Sequence, residues 1–190
     1  MDSHPDVQVV DLDGDSLARM WLENELCIHC PLLEAEGLPG ALPGECTTRP
    51  QDVEPLLRDR RSGVKLALAD GKLVGYAVFG RPRLFRNAAR LPFAVNEDAL
   101  LVAALYAFPR AGVENLEAGL LAAVMDFARE HDYGVVQAVC RQDGAEPVGM
   151  ADLFSAAGFA VSDTRNGMCV AETAVEEWFE AVESADEKTS

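Results

Sequence analysis

The chain has 190 residues, 49% of them hydrophobic and 25% charged, the balance of one globular domain with a real core. Its formal net charge of −16 argues against generic nucleic-acid or anionic-membrane binding, since both need a basic footprint. No run approaches the roughly 20 apolar residues of a bilayer span, and the start, Met-Asp-Ser-His-Pro-Asp, lacks the features of a secretion signal. The expected location is the cytoplasm. Five cysteines there imply mostly reduced thiols and no disulfide framework.

In chain order, Val7–Leu12 alternates as a first strand, and Asp13 to Ser16 supplies a turn and an N-cap. Leu17, Met20, Trp21 and Leu26 then fall at helical spacing over Leu17–Cys27, and Pro31 ends that helix. Residues 31–51, rich in Gly and Pro, read as a long loop. Gln51–Arg60 predicts a short helix that Pro55 confines to its first turns. Val64–Ala69 and Lys72–Gly80 flank Asp70-Gly71, which predicts a hairpin closed by a type I′ turn. An arm from Arg81 to Glu97 carries Arg81, Arg83, Arg86 and Arg90. It could meet an anion, but a solvated, salt-bridged loop is the reading preferred for an acidic chain.

The segment from Asp98 to Phe159 is the most informative. An apolar strand, Ala99–Tyr106, ends at Phe108-Pro109-Arg110-Ala111-Gly112. A helix follows over Leu116–His131, with Leu116, Leu120, Val124 and Phe127 along one face and Asn115 as N-cap. Gly134–Cys140 is a second apolar strand and 149–159 a short helix. Two parallel strands joined by a helix leave a ligand crevice at the first strand's C-terminal end. One or two strands around Val161–Val170 complete an α+β fold: a mixed, mostly antiparallel twisted sheet with helices on both faces. Residues 1–173 make the domain. Residues 174–190, with Trp178, Phe179 and Val182 among acids such as Glu176, Glu177, Glu180 and Glu183, make a short amphipathic helix and a frayed tail.

This order resembles the core of the GCN5-related N-acetyltransferase (GNAT) superfamily, whose fold is acyl-CoA N-acyltransferase-like. Members carry an Arg/Gln-x-x-Gly-x-Gly/Ala loop before the crossover helix. Backbone N–H groups and the helix N-terminus there hold the coenzyme A pyrophosphate. The equivalent stretch is Arg110-Ala111-Gly112-Val113-Glu114-Asn115-Leu116-Glu117, which keeps Arg110 and Gly112. The resemblance implies acetyl-CoA as co-substrate, held at Phe108, Arg110, Ala111, Gly112, Val113 and Asn115. It implies acetyl transfer to an amine on a small molecule or peptide, in a protein that dimerises through its last strands or C-terminal segments.

Some positions depart from the pattern. Asn115 and Glu117 stand at the usual glycine positions, and Glu114 and Glu117 satisfy the helix dipole that a phosphate would use. In Leu153-Phe154-Ser155-Ala156-Ala157-Gly158-Phe159, Phe154 replaces the tyrosine with which many members protonate the leaving thiolate. The strand 99–106 has no carboxylate to act as a base, so the catalytic residues are not fixed. Tyr106 is a substitute, or simply a core tyrosine. Cys140 could act as a nucleophile with His29 as its open partner, or be one more buried cysteine. A protein that keeps the crevice without catalysis, binding a ligand or partner, is the alternative reading.

Cys27-Ile-His-Cys30 has metal-ligand spacing, with His29 and Cys46 near in sequence. A structural zinc site would need a second such pair, which the chain lacks. The readings are a thiol or metal function through Cys27, Cys30 and Cys46, or small buried residues where the first helix meets the sheet.

Overall fold

In the computed structural model the described residues are 6–22, 28–34, 48–108, 115–141, 149–162 and 164–187. The elements are β1 (Val7–Asp11), α1 (Gly14–Leu22), α2 (Pro50–Arg58), β2 (Gly63–Ala69), β3 (Lys72–Gly80), β4 (Leu100–Ala107), α3 (Leu116–Glu130), β5 (Val135–Arg141), β6 (Gly149–Met150), α4 (Ala151–Ala156), β7 (Ala160–Val161), β8 (Met168–Ala174) and α5 (Val175–Glu187). The sheet runs β1-β2-β3-β4-β5-β8-β7, and the two-residue β6 pairs with β5. Among the described residues only β4–β5 and β5–β6 are parallel; the other pairs are antiparallel.

Local chemistry explains most of the elements. Asp13 Oδ1 accepts the Ser16 N–H at 2.6 Å and so caps α1. The β2–β3 hairpin turns on Asp70 (φ 50°) and Gly71 (φ 75°), both in the region that a type I′ turn requires. The helix α2 extends further than Pro55 suggested, over all nine residues from Pro50 to Arg58. The ring removes one N–H from the ladder, and buried Val53 and Leu56 hold the rest of the helix against the sheet.

Two apolar cores lie on opposite faces of the sheet. One holds Leu116, Leu120, Leu121, Val124, Met125 and Ala128 of α3, with Phe154, Phe159 and Val175. Trp178 and Phe179 of α5 pack against it. The other holds Leu17 and Met20 of α1, Val53 and Leu56 of α2, and Ile28, Leu32 and Leu33. At Gly75 of β3 a Cβ would lie 2.8 Å from the Tyr106 carbonyl oxygen and 3.2 Å from Leu116 and Leu120. Only a residue without a side chain lets the first turns of α3 sit this close.

The arginine arm is more ordered than a solvated loop. It contains two 3₁₀ turns, Pro82–Leu84 and Ala88–Arg90. Asn87, 1% exposed, donates its side-chain amide to the carbonyls of Pro31 and Glu34, each at 2.9 Å. Arg81 pairs with Asp59. Burial works to raise the Asp59 pKa, but the Arg61 backbone N–H and the Arg81 guanidinium outweigh it and hold the carboxyl below its ordinary value. The arm leaves β3 at Gly80, whose partner is Leu101 near the start of β4. That is the end of the sheet opposite Phe108.

Among the described residues no helix is long and apolar enough to cross a membrane.

Candidate active site

The feature that could hold a ligand is a divergence between β4 and β5. They pair in parallel at Leu100–Val136, Leu101–Gln137 and Val102–Ala138, and no further β4–β5 pair follows. The register between β3 and β4 shifts at the same point: Phe79 faces Val102 and Val78 faces Ala104, leaving Ala103 as the extra residue. The core assignments record this bulge. Leu100 and Val102 face one core and Leu101 and Ala103 the other; Ala104 then repeats the second face, and Leu105 returns to the first. A bulge bends its strand and increases the local twist. β4 therefore turns away from β5 after Val102.

The two walls of the notch differ. One is β4 from Ala103 to Ala107. The other is the end of β5, whose far edge pairs with β8 throughout. Cys140 and Arg141 face Gly149 and Met150 of β6 in parallel, so β6 takes the β5 edge on the β4 side.

Tyr106 and Phe108 stand at the open end, both half-buried. With Tyr76 they form an aromatic group whose ring centroids lie 5.2 Å (Tyr106–Phe108), 5.8 Å (Tyr76–Tyr106) and 6.3 Å (Tyr76–Phe108) apart. Phe108 N–H donates to the Val74 carbonyl at 2.8 Å, tying the strand end before the crossover. Arg110, Ala111, Gly112, Val113 and Glu114 lie outside the described residues, as do Cys27 and Cys46.

Asn115, on the far side of that turn, is not the expected side-chain cap. Its backbone is left-handed (φ 58°, ψ 25°) and its side chain makes no capping hydrogen bond. Capping needs an extended N-cap residue, from which the side chain reaches the first free N–H groups; asparagine is among the few residues that tolerate the left-handed alternative. Glu117 lies in the first turn of α3, where its charge opposes that of a phosphate.

Phe154 is completely buried, its ring 5.4 Å from that of Phe159. A hydroxyl at this position would sit inside the first core. Cys140 is also fully buried, with its thiol facing Cys169. Burial, then the neighbouring Cys169, push its pKa well above the ordinary thiol value. Its side chain belongs to the first core, whereas His29 lies over Tyr76 on the other face. The structure does not bring Cys140 and His29 together.

A buried polar cluster on the second face had no signal in residue spacing. His29 Nδ1 lies 2.5 Å from Glu34 Oε1, and both side chains are nearly enclosed. Thr48 donates its hydroxyl to the same carboxylate oxygen at 3.2 Å and accepts the Cys30 N–H at 2.9 Å. The Tyr76 hydroxyl accepts the His29 N–H and donates to the His29 carbonyl, each at 3.0 Å. Segment 28–34 is thus fastened over β3 opposite Tyr106, alongside the notch. The only sequence clue was a glutamate in an otherwise apolar stretch after Cys30. Burial pushes the Cys30 thiol up to about 12, the behaviour of a packed rather than a reactive cysteine. Among the described residues no group of three or more His, Cys, Asp or Glu side chains could hold a metal ion.

No protein-family model matches the chain, and no curated protein matches it. Solved structures do match. The GNAT domain of S. lividans PAT superposes with a TM-score of 0.61 at 15% identity, over 88% of this chain and 90% of that one. An N-acetyltransferase from Staphylococcus aureus Mu50 gives 0.59 at 12% identity, over 90% and 99%. The yncA protein of Salmonella typhimurium, solved with its cofactor acetyl-CoA, gives 0.57 at 17% identity, over 90% and 94%. Identities this low speak to architecture alone. The chain has the GNAT N-acetyltransferase fold.

Proposed function

We propose that this protein is an acetyl-CoA-dependent N-acetyltransferase. The observation that carries the reading is the parting of β4 from β5 after Val102, at the end of the sheet where the chain crosses to the N-terminus of α3. Beyond that point the β4 backbone from Ala103 to Ala107 has no β5 partner, and an extended ligand with amide groups could take the place of a strand. Phe108, Arg110, Ala111, Gly112, Val113 and Asn115 would hold the coenzyme. The acceptor is an amine on a small molecule or peptide. Its nitrogen attacks the thioester carbonyl, coenzyme A leaves as the thiolate, and the amine proton passes to water. Positioning supplies much of the rate.

Acetyl-CoA at about 100 times its dissociation constant is expected to stabilise the fold by roughly 2.7 kcal/mol, raising the melting temperature by several degrees. Differential scanning fluorimetry with acetyl-CoA, coenzyme A and no ligand reads this directly. No shift with either ligand would remove the transferase reading.

Tyr106 is the hydroxyl proposed to relay the amine proton to water, in place of the carboxylate that β4 lacks. Tyr106→Phe should then lower kcat by about 100-fold with little change in acetyl-CoA affinity. An unchanged kcat would return Tyr106 to a packing role. Glu117→Gln should tighten acetyl-CoA binding by roughly two- to five-fold by removing a like charge from the helix N-terminus; calorimetric titration measures it, and an equal or weaker affinity would place the phosphates elsewhere.

The buried Phe154 and the acidic first turn of α3 favour a second reading, in which the notch binds a ligand without catalysis. Acetyl-CoA binding with no acetylation across a panel of amines would make it the better one.

A further inference from the structure

Cys140 of β5 and Cys169 of β8 are directly opposite each other in antiparallel register. Both are 0% exposed. Their sulfurs lie 2.9 Å apart, and each sulfur is 3.4 Å from the other residue's carbonyl oxygen. Facing residues of an antiparallel pair have Cα atoms about 4.5–5.5 Å apart, inside the range that a disulfide spans. A sulfur–sulfur bond of about 2.05 Å would need the two atoms to approach by less than one more ångström. No strand has to slide or turn over.

We propose that Cys140 and Cys169 form a reversible dithiol–disulfide site, oxidised by a small two-electron oxidant of the peroxide class. One thiolate attacks a peroxide oxygen, the O–O bond breaks, and a sulfenic acid and hydroxide result. The second sulfur then attacks the sulfenic sulfur, the S–O bond breaks, and the oxygen leaves as water. The two thiols are oxidised by two electrons and hydrogen peroxide is reduced to two waters. An external dithiol reverses the change by thiol–disulfide exchange.

Burial defines the site's character. It admits a small oxidant in preference to a bulky disulfide, and it keeps the Cys140 thiol protonated at neutral pH. Oxidation that begins at Cys140 therefore quickens as pH rises, because the thiolate is the reacting form. Cys140 also faces Gly149 of β6, so the new bond would fasten the β5 wall of the notch to β8. None of these atoms is needed for acetyl transfer, and the site stands or falls independently of that reading.

Trypsin makes the test unambiguous. It yields fragment 130–141 with Cys140 as its single cysteine and fragment 166–188 with Cys169 as its single cysteine. Cys27, Cys30 and Cys46 stay together in 20–58. The full chain, reduced and desalted, is treated with hydrogen peroxide at several pH values, alkylated in denaturant, digested and analysed by mass spectrometry. The expected result is a 130–141/166–188 pair lighter by two hydrogens than its separate parts. Dithiothreitol should cleave it, and it should form faster at higher pH. The same treatment of chain already in denaturant should scatter the pairing across all five cysteines, and Cys169→Ala should leave Cys140 open to alkylation. Recovery of both fragments alkylated from the wild-type chain, or Cys140 joined to 20–58, would overturn the proposal. The wild-type result decides even if the variant fails to fold.

Discussion

Replacing Glu34 with alanine is expected to lower stability by about 3–5 kcal/mol, a fall in melting temperature on the order of 10 °C. The reason is an asymmetry in hydrogen bonding. Making such a contact stabilises modestly, but removing one partner leaves the others buried and unsatisfied. Glu34 is 6% exposed, and both His29 Nδ1 and the Thr48 hydroxyl point at its Oε1. Truncation would take this acceptor away from both in a place that water reaches poorly. Glu34→Gln keeps an acceptor oxygen and should lose less than half as much. Thermal and urea melts of the two variants check the pair, and a loss below about 1 kcal/mol for the alanine would show that water replaces the carboxylate. Because Asn87 ties the arm to the Pro31 and Glu34 carbonyls, the variant should also speed hydrogen exchange at 85–90.

The second large effect is expected at Phe154. Removing a fully buried phenylalanine costs about 3–5 kcal/mol, part of it lost transfer energy and part the cavity left behind. Here the loss should also be local. The helix α4 has six residues, with Ala151 and Phe154 as its buried side chains. Helices this short do not persist without tertiary packing. The Phe154 carbonyl accepts the Phe159 N–H at 2.9 Å, so the turn into β7 leans on the same residue. Phe154→Ala should therefore lower the melting temperature on the order of 10 °C and, below the melt, expose amides 151–161 to exchange before those of α3. Uniform exchange across the chain would mean that α4 is held by something other than this ring. Phe154→Tyr, by contrast, should not restore a proton donor, since the added hydroxyl would lie in an apolar core without an evident partner.

Elements whose signal is local were legible from residues alone. Asp70-Gly71 between two β-rich runs specified the hairpin because few residue pairs accept two positive φ angles. The apolar stripe of α3 was readable because 3.6-residue periodicity survives in a long helix, and Leu116, Leu120 and Val124 are buried as that stripe requires. Parallel pairing of β4 with β5 followed from a crossover helix between two apolar strands. The misreadings have equally local causes. For Pro55, one missing hydrogen bond weighs less than two buried side chains. For Asn115, composition names a good cap but does not reveal the backbone angle that decides whether the side chain can reach.

The candidate site divides differently. In the stretch Arg110 to Glu117 residue types alone supply the expectation of a phosphate loop, since Arg110 and Gly112 match that motif, and the acid at Glu117 is legible because charge at a helix end is a one-dimensional property; residues 110–114 lie outside the described residues. Tertiary structure alone decided the rest. The bulge at Ala103 is invisible in Leu-Val-Ala-Ala-Leu, where either face accepts every residue; only pairing with both neighbours fixes which one is extra. The opposition of Cys140 and Cys169, 29 residues apart in sequence, depends on the register of β5 against β8, which strand patterns leave free. His29 and Glu34 meet across a turn, and Thr48 reaches them from 14 residues beyond Glu34. The sequence by itself determined most of the elements, the β2–β3 hairpin and the parallel run of β4 and β5, because helix, strand and turn preferences act over a few residues. Where β4 leaves β5, which thiols touch and which carboxylate is enclosed were decided by packing between segments far apart in the chain.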